Sequence, residues 1–202
     1  SVIVNLTRTQ ALQDTWYTPI QTNGLMGLGA VGAQLSLSNT SDTGKNLIIN
    51  ISQVDVESQK TSGLLSLMDG NLTIDNFQKI DLNVANPSGT VYGLRAVSGN
   101  INAVNGIGTV NIDANNGTAI YSSSYKNKAN GSIILSAENI ILNAFGENGI
   151  GIDANDRGTV SLTANKQLTI LGEKQAVSVK SKDSSVAFTA PNATGSINGD
   201  WT

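Results

Sequence analysis

The stretch GTVSLTA (158–164) decides the fold of this chain, because its pattern returns elsewhere in the sequence. GTVNIDA (108–114), GSIILSA (131–137) and SSVAFTA (184–190) also begin with a small residue, a Ser or Thr, and a Val or Ile. Each continues with Ile, Leu or Phe and ends on Ala, with one variable residue between these positions. Self-similarity of this kind, at a fixed period of about 20–50 residues, is the mark of a repeat architecture.

Each repeated segment alternates apolar and polar residues, which is typical of a half-buried β-strand. In GTVSLTA the alternation places Val160, Leu162 and Ala164 on the inner side, and in SSVAFTA it places Val186, Phe188 and Ala190 there. One short strand cannot bury such a side alone, whereas strands stacked coil upon coil, about 4.8 Å apart, can. The sequence therefore predicts an all-β fold, a right-handed parallel β-helix (β-solenoid) of about six coils with three short strands each.

The segments also suggest how the chain is divided. Residues 1–22 do not fit the repeat and predict an N-terminal cap or an irregular first coil, and residues 23–202 predict the β-helix. The first coil carries an insertion at residues 39–45. A period of about 27 residues fits three strands per unit better than the hairpins of a sandwich or barrel. We expect the coils to start at residues 24, 63, 91, 119, 150 and 176. GTVNIDA fits either the second or the third strand of its coil.

The amino-acid composition argues against several classes of function. Charged residues make up 13% of the chain and the formal net charge is −3, so the sequence lacks the basic footprint that nucleic acid requires. It has no Cys, which would supply thiolate ligands. It also has no His, which is the commonest metal ligand and the commonest general base. We expect no cofactor, no metal site and no nucleic-acid partner. The chain opens without Met or an apolar leader, so we expect a mature or trimmed form.

Two sequence patterns resemble known ligand-binding motifs, but both matches are weak. GLGAVG (27–32) matches a dinucleotide fingerprint, but a strand-like segment follows it where a helix is needed. GIGIDAND (149–156) resembles one copy of a calcium-binding nonapeptide, which needs tandem copies. Its acids, Asp153 and Asp156, are expected to form turns.

A glycosidase needs carboxylates that converge on one cleft, and a polysaccharide lyase needs Lys or Arg near an acidic cluster. The candidate acids are expected on successive strands or different faces, and the candidate bases have no acidic partner in the sequence. These residues are Asp69, Asp75, Asp81, Asp113 and Asp153, and Arg95, Arg157 and Lys174. We therefore expect that the protein is not an enzyme, with a β-helix lyase or glycoside hydrolase as the alternative.

The segment YKNKAN (125–130) is the longest polar excursion within a regular coil. Loops that protrude from a solenoid often carry binding residues. The candidate binding residues are Lys126, Asn127, Lys128 and Asn130.

From about residue 63 to the end, the chain resembles the passenger region of bacterial autotransporter adhesins and related filamentous-haemagglutinin-type exoproteins. The double strands GSIILSAENIILNA (131–144) and GTVSLTANKQLTILG (158–172) and the closing GSINGDWT (195–202) carry the resemblance. It implies a fragment of a longer passenger, exported to the bacterial cell surface and anchored there by an outer-membrane translocator. The implied function is adhesion, biofilm formation or virulence. The implied partner is a protein or glycan on host or bacterial cells, and a stalk that binds nothing remains the other alternative.

Overall fold

The computed structural model describes residues 1–8, 26–40, 45–53, 60–87, 89–126 and 128–202. These residues form β-strands joined by turns, and no helix occurs among them. The strands are β1 (Val2–Arg8), β2 (Met26–Val31), β3 (Gln34–Ser38), β4 (Asn46–Gln53), β5 (Lys60–Leu67), β6 (Asn71–Asp75), β7 (Lys79–Ala85), β8 (Thr90–Val97), β9 (Asn100–Asn105), β10 (Thr109–Asn115), β11 (Gly117–Ser123), β12 (Ser132–Phe145), β13 (Ile150–Ala154), β14 (Thr159–Gly172), β15 (Gln175–Val179), β16 (Ser185–Thr189) and β17 (Thr194–Asn198).

All neighbouring strands pair in parallel, and they stack into three faces of a β-solenoid. The first face is β2-β5-β8-β11-β13-β15. The second face is β3-β6-β9, continued by the N-terminal half of β12, the N-terminal half of β14, and β16. The third face is β1-β4-β7-β10, continued by the C-terminal halves of β12 and β14, and β17. The predicted all-β parallel β-helix is confirmed.

The number of turns differs slightly from the expected six coils. The solenoid makes about five turns. Six strands stack on the first face, and the expectation counted such strands rather than the steps between them. Within the described residues, the later coils begin on the first face at β5, β8, β11, β13 and β15, close to the predicted starts.

Two pairs of segments that were expected as separate strands are continuous. GSIILSA and ENIILNA join in β12, and GTVSLTA and KQLTILG join in β14, so that each 14-residue strand belongs to two faces. A register shift between Ala137 and Asn139 marks the corner. GTVNIDA lies in β10 on the third face, in register with β7 and with the second half of β12. That placement settles which of its two possible positions it takes.

The core lies between the three faces and is built of matching rows. Leu72, Ile101, Ile133 and Val160 occupy successive coils of the second face in register, and all are buried. Burying each such side chain contributes about 1.5–3 kcal/mol, which is what holds short strands in a stack.

The predicted inner residues of two segments behave differently. Val160, Leu162 and Ala164 are buried, as predicted. In β16, Val186 and Phe188 are only partly buried against the core, and Ala190 is exposed instead of buried. Strand β16 is the last described strand of its face, so no described strand covers these residues, and Ala190 lies beyond its end.

The expected N-terminal cap is only partly visible. Val2–Arg8 pairs with β4 on the third face, and residues 9–22 lie outside the described residues. Of the expected insertion 39–45, residues 41–44 lie outside them as well.

Candidate functional site

The first face is bent, and small residues allow the bend. Strict alternation would place Gly93 and Leu94 on opposite sides of β8. In the structure Leu94 belongs to the core, and a Cβ on Gly93 would also point into it, 2.2 Å from Cγ2 of Ile112. Two consecutive residues therefore face inward, and the strand must turn between them. The pairing between neighbouring strands skips one residue at this position. The skipped residues of the other strands are also small: Gly63, Ala119, Gly151 and Ala176.

The bend leaves a hollow on the outer side of the first face. Its floor and walls are formed by Tyr92, Thr118, Tyr121, Ile150 and Asp153, which come from β8, β11 and β13. We call this hollow the first-face depression. Its volume is about 330 Å³, within the usual range of small-molecule sites. The other lining residues are Gly89, Thr90, Asn116, Gly117, Asn148 and Lys174, and the exposed ones among them, Thr90, Asn148 and Lys174, form its rim.

Two tyrosines from successive coils meet in the depression. The ring centroids of Tyr92 and Tyr121 are 4.9 Å apart, and the rings are inclined by 51°. Tyr92 is buried, while Tyr121 is half-buried and keeps part of its ring accessible. Burial raises the pKa of the Tyr92 phenol to about 12. The charge of Arg95 lowers this pKa, whereas Tyr121 and Asp153 raise it further. Tyr92 is therefore protonated at neutral pH and can donate a hydrogen bond.

A guanidinium lies beside this pair of rings. Cζ of Arg95 is 5.0 Å from the ring centroid of Tyr92, a distance at which the cation and the ring attract each other. The side chain is buried, with 5% of its surface exposed, and its Nε has no hydrogen-bond acceptor among the described residues. Burial lowers the pKa of Arg95. An arginine in a protein nevertheless stays charged.

The acid of the depression is already paired. Oδ2 of Asp153 accepts a hydrogen bond from Nζ of Lys180 at 3.0 Å, and Oδ1 is buried without a partner in the described structure. Asp153 lies within strand β13, so the expectation that it forms a turn was wrong. Asp156 has a positive φ of 43° and occupies a turn, as expected.

The predicted binding loop is exposed and tied to the next coil. Nη2 of Arg157 donates hydrogen bonds to the backbone oxygens of Lys126 at 2.7 Å and of Lys128 at 3.2 Å. It also donates to Oγ of Ser124 at 3.0 Å. Lys126, Lys128 and Asn130 are exposed, and Asn127 lies outside the described residues. These residues do not line the first-face depression, and their binding role stays a prediction.

Sequence reasoning missed the residues of the depression. Arg95 and Lys174 had no partner in the sequence, and the two tyrosines are separated by a whole coil. The available signal was that Tyr92, Arg95, Tyr121 and Asp153 all fall on the first strand of consecutive coils.

Within the part of the chain that the structure describes, no three acidic side chains lie close enough together to hold a metal ion. Among the same residues, no helix has the length and apolar composition that crossing a membrane requires. Comparison of this chain with protein-family models, with curated proteins and with solved structures finds no significant match.

Proposed function

We propose that this chain is a non-enzymatic adhesin module that binds a ligand on host or bacterial cells through the first-face depression. The observation that carries the proposal is the Tyr92–Tyr121 pair, which presents aromatic surface inside a hollow on the side of a β-solenoid. Aromatic side chains bring large contact areas at little entropic cost and are enriched at binding sites. The solenoid fixes the spacing of these side chains, since they stand on paired strands.

The raised pKa of Tyr92 favours binding over acid–base chemistry in the depression. A general acid or base works best when its pKa lies near the working pH. Burial raises the pKa of Tyr92 to about 12, far above neutrality. Asp153 is engaged by Lys180. Tyr92 thus stays protonated near neutral pH and Asp153 is occupied by an ion pair, which suits recognition.

The resemblance to autotransporter passengers supports the rest of the proposal. We infer that the chain acts outside the cell, on the bacterial surface, within a protein anchored by an outer-membrane translocator. Adhesion to host cells or between bacteria, and hence biofilm formation or virulence, is the role that such a location and such a depression serve together.

The test is binding of the labelled chain to epithelial and bacterial cells, with glycosidase-treated and protease-treated cells as controls. We expect saturable binding by the unaltered chain and at least tenfold weaker binding by Tyr121→Ala. The matched control is Tyr125→Ala, because Tyr125 is also half-buried but is the first residue of the predicted binding segment 125–130. Loss of binding in Tyr125→Ala alone would move the site to residues 125–130. Absence of saturable binding on every cell would contradict the adhesin and favour a stalk, and product release from a polysaccharide panel would favour the enzyme.

A further inference from the structure

Two cations, Arg95 and Lys60, lie next to residues of the first-face depression, and no acid among the described residues forms an ion pair with either. Lys60 on β5 is in register with Thr90, which forms part of the rim, and its strand neighbours that of Arg95. Burial lowers the pKa of Lys60, and the nearby charge of Arg95 lowers it further. Among the described residues, neither cation forms a salt bridge.

Such a pair is costly for the free protein. A buried charge without a partner destabilises the fold, and two like charges close together repel each other. The buried Nε of Arg95 has no hydrogen-bond acceptor among the described residues, so at least one donor of the guanidinium is unsatisfied. Groups that a protein keeps unsatisfied at a surface hollow are typical of a binding site, because a ligand can complete them.

We propose that the first-face depression binds an acidic saccharide, with the sugar carboxylate beside Arg95 and Lys60 and the pyranose ring against the tyrosines. This inference rests on the proposed function and names its ligand class. The planar guanidinium matches a carboxylate and forms strong, charge-assisted hydrogen bonds with it. The ring of Tyr121 offers an apolar surface to the C–H groups of a sugar, and the protonated hydroxyl of Tyr92 can donate to a sugar oxygen.

The charge of the depression favours an acidic sugar over a neutral one. Its single acidic side chain, Asp153, is held by Lys180, so it does not neutralise Arg95 or Lys60. A neutral sugar would leave both cations uncompensated in a partly water-excluded place. Lys174 adds a third positive group at the rim.

The test is calorimetric binding of the full chain to pairs of oligosaccharides that differ only in charge. The acidic probes are a sialylated lactose and a trigalacturonate, which distinguish a sialic acid from a uronic acid as the source of the carboxylate. The matched neutral probes are lactose and the carboxyl-reduced trisaccharide. We expect at least tenfold tighter binding of one acidic probe than of its neutral match.

Two variants locate the effect. Arg95→Met removes the buried charge at similar length, and Lys60→Gln removes the more exposed one, so that the second variant remains informative if the first fails to fold. We expect both to abolish the preference for the acidic probe. We also expect Arg95→Met to melt at a higher temperature than the unaltered chain without ligand, which loss of a merely structural contact would not produce.

Equal binding of the acidic and neutral probes would overturn the inference, as would an acidic preference that survives in both variants. If the chain still binds cells under any of these outcomes, the adhesin proposal stands and only the ligand class is wrong. If it binds no cell, the adhesin proposal itself fails.

Discussion

Tyr92 and Arg95 lie on the two sides of the bend at Gly93, and their side chains meet with Cζ of Arg95 5.0 Å from the Tyr92 ring centroid. In a straight strand, residues three apart point to opposite sides. They meet here because Gly93 and Leu94 both face the core. The contact of Arg95 with Tyr92, at the floor of the depression, depends on this one irregularity.

The packing around the bend leaves no room for a side chain at position 93. In Gly93→Ala the new Cβ would lie 2.2 Å from Cγ2 of Ile112 and 2.6 Å from the backbone oxygen of Ala119. We expect the free energy of unfolding to fall by about 1–3 kcal/mol, the usual cost of overpacking a core. Denaturant unfolding measures it. The same change in an Ile112→Ala background should cost clearly less, and equal costs in both backgrounds would show that the two sites do not interact.

The raised pKa of Tyr92 predicts a loss of stability in alkali. A tyrosine ordinarily ionises near pH 10, and burial raises the pKa of Tyr92 to about 12. Above pH 10 the unfolded chain loses this proton first, so the fold loses up to about 2–3 kcal/mol as the pH rises from 10 to 12. In Tyr92→Phe this part of the loss should vanish. Phenolate absorbance gives a second readout, in which the late-titrating tyrosine should be missing from the variant.

Introducing a charged residue at position 160 tests whether the side chain of Val160 points into the core. Val160 is buried in the row of the second face, and its neighbour Ser161 points outward. Val160→Asp should lower the free energy of unfolding by more than about 3 kcal/mol, because the core offers the carboxylate no partner. Ser161→Asp, the matched control, should change it by less than about 1 kcal/mol. Similar melting temperatures for the two variants would contradict the assignment of inner and outer sides.

A ladder of asparagines runs along the outer side of the third face. Nδ2 of Asn83 donates to Oδ1 of Asn50 at 2.8 Å, and Nδ2 of Asn50 donates to Oδ1 of Asn5 at 2.7 Å. Asn50→Ala breaks both bonds, so we expect a loss of about 1 kcal/mol in thermal unfolding. The exposed Asn100, which makes no side-chain hydrogen bond within the described residues, provides the control Asn100→Ala. A loss of the same size in both variants would mean that the hydrogen bonds of the ladder do not contribute to the stability of the fold.

The parts of the fold that follow from local alternation were predictable. Val160, Leu162 and Ala164 are buried as the pattern of GTVSLTA indicates, and β13 begins at Ile150, where a coil start was expected. Each of these features depends on the residue types within one short segment. The ladder partners depend on which strands become neighbours.

The site was less predictable, because its residues meet only across coils. The alternation of VYGLRAVS does not reveal that Gly93 and Leu94 face the same way, since the skipped residue at position 93 appears only in the pairing with β5 and β11. The proximity of Tyr92 to Tyr121 depends on the register between β8 and β11. The polar excursion at 125–130 could be seen in the sequence, but the anchoring of its backbone by Arg157 could not.

The most direct test of the central claim is to block the depression and measure cell binding. The sequence contains no cysteine, so a single introduced cysteine can be labelled cleanly with a bulky maleimide. Thr90 is exposed at the rim of the depression, Asn100 is exposed on the second face, and Lys128 is exposed in the predicted loop. We predict that a label on Thr90→Cys abolishes saturable binding, while labels on Asn100→Cys and Lys128→Cys leave it intact. Full binding by labelled Thr90→Cys would contradict the assignment of the first-face depression as the binding site.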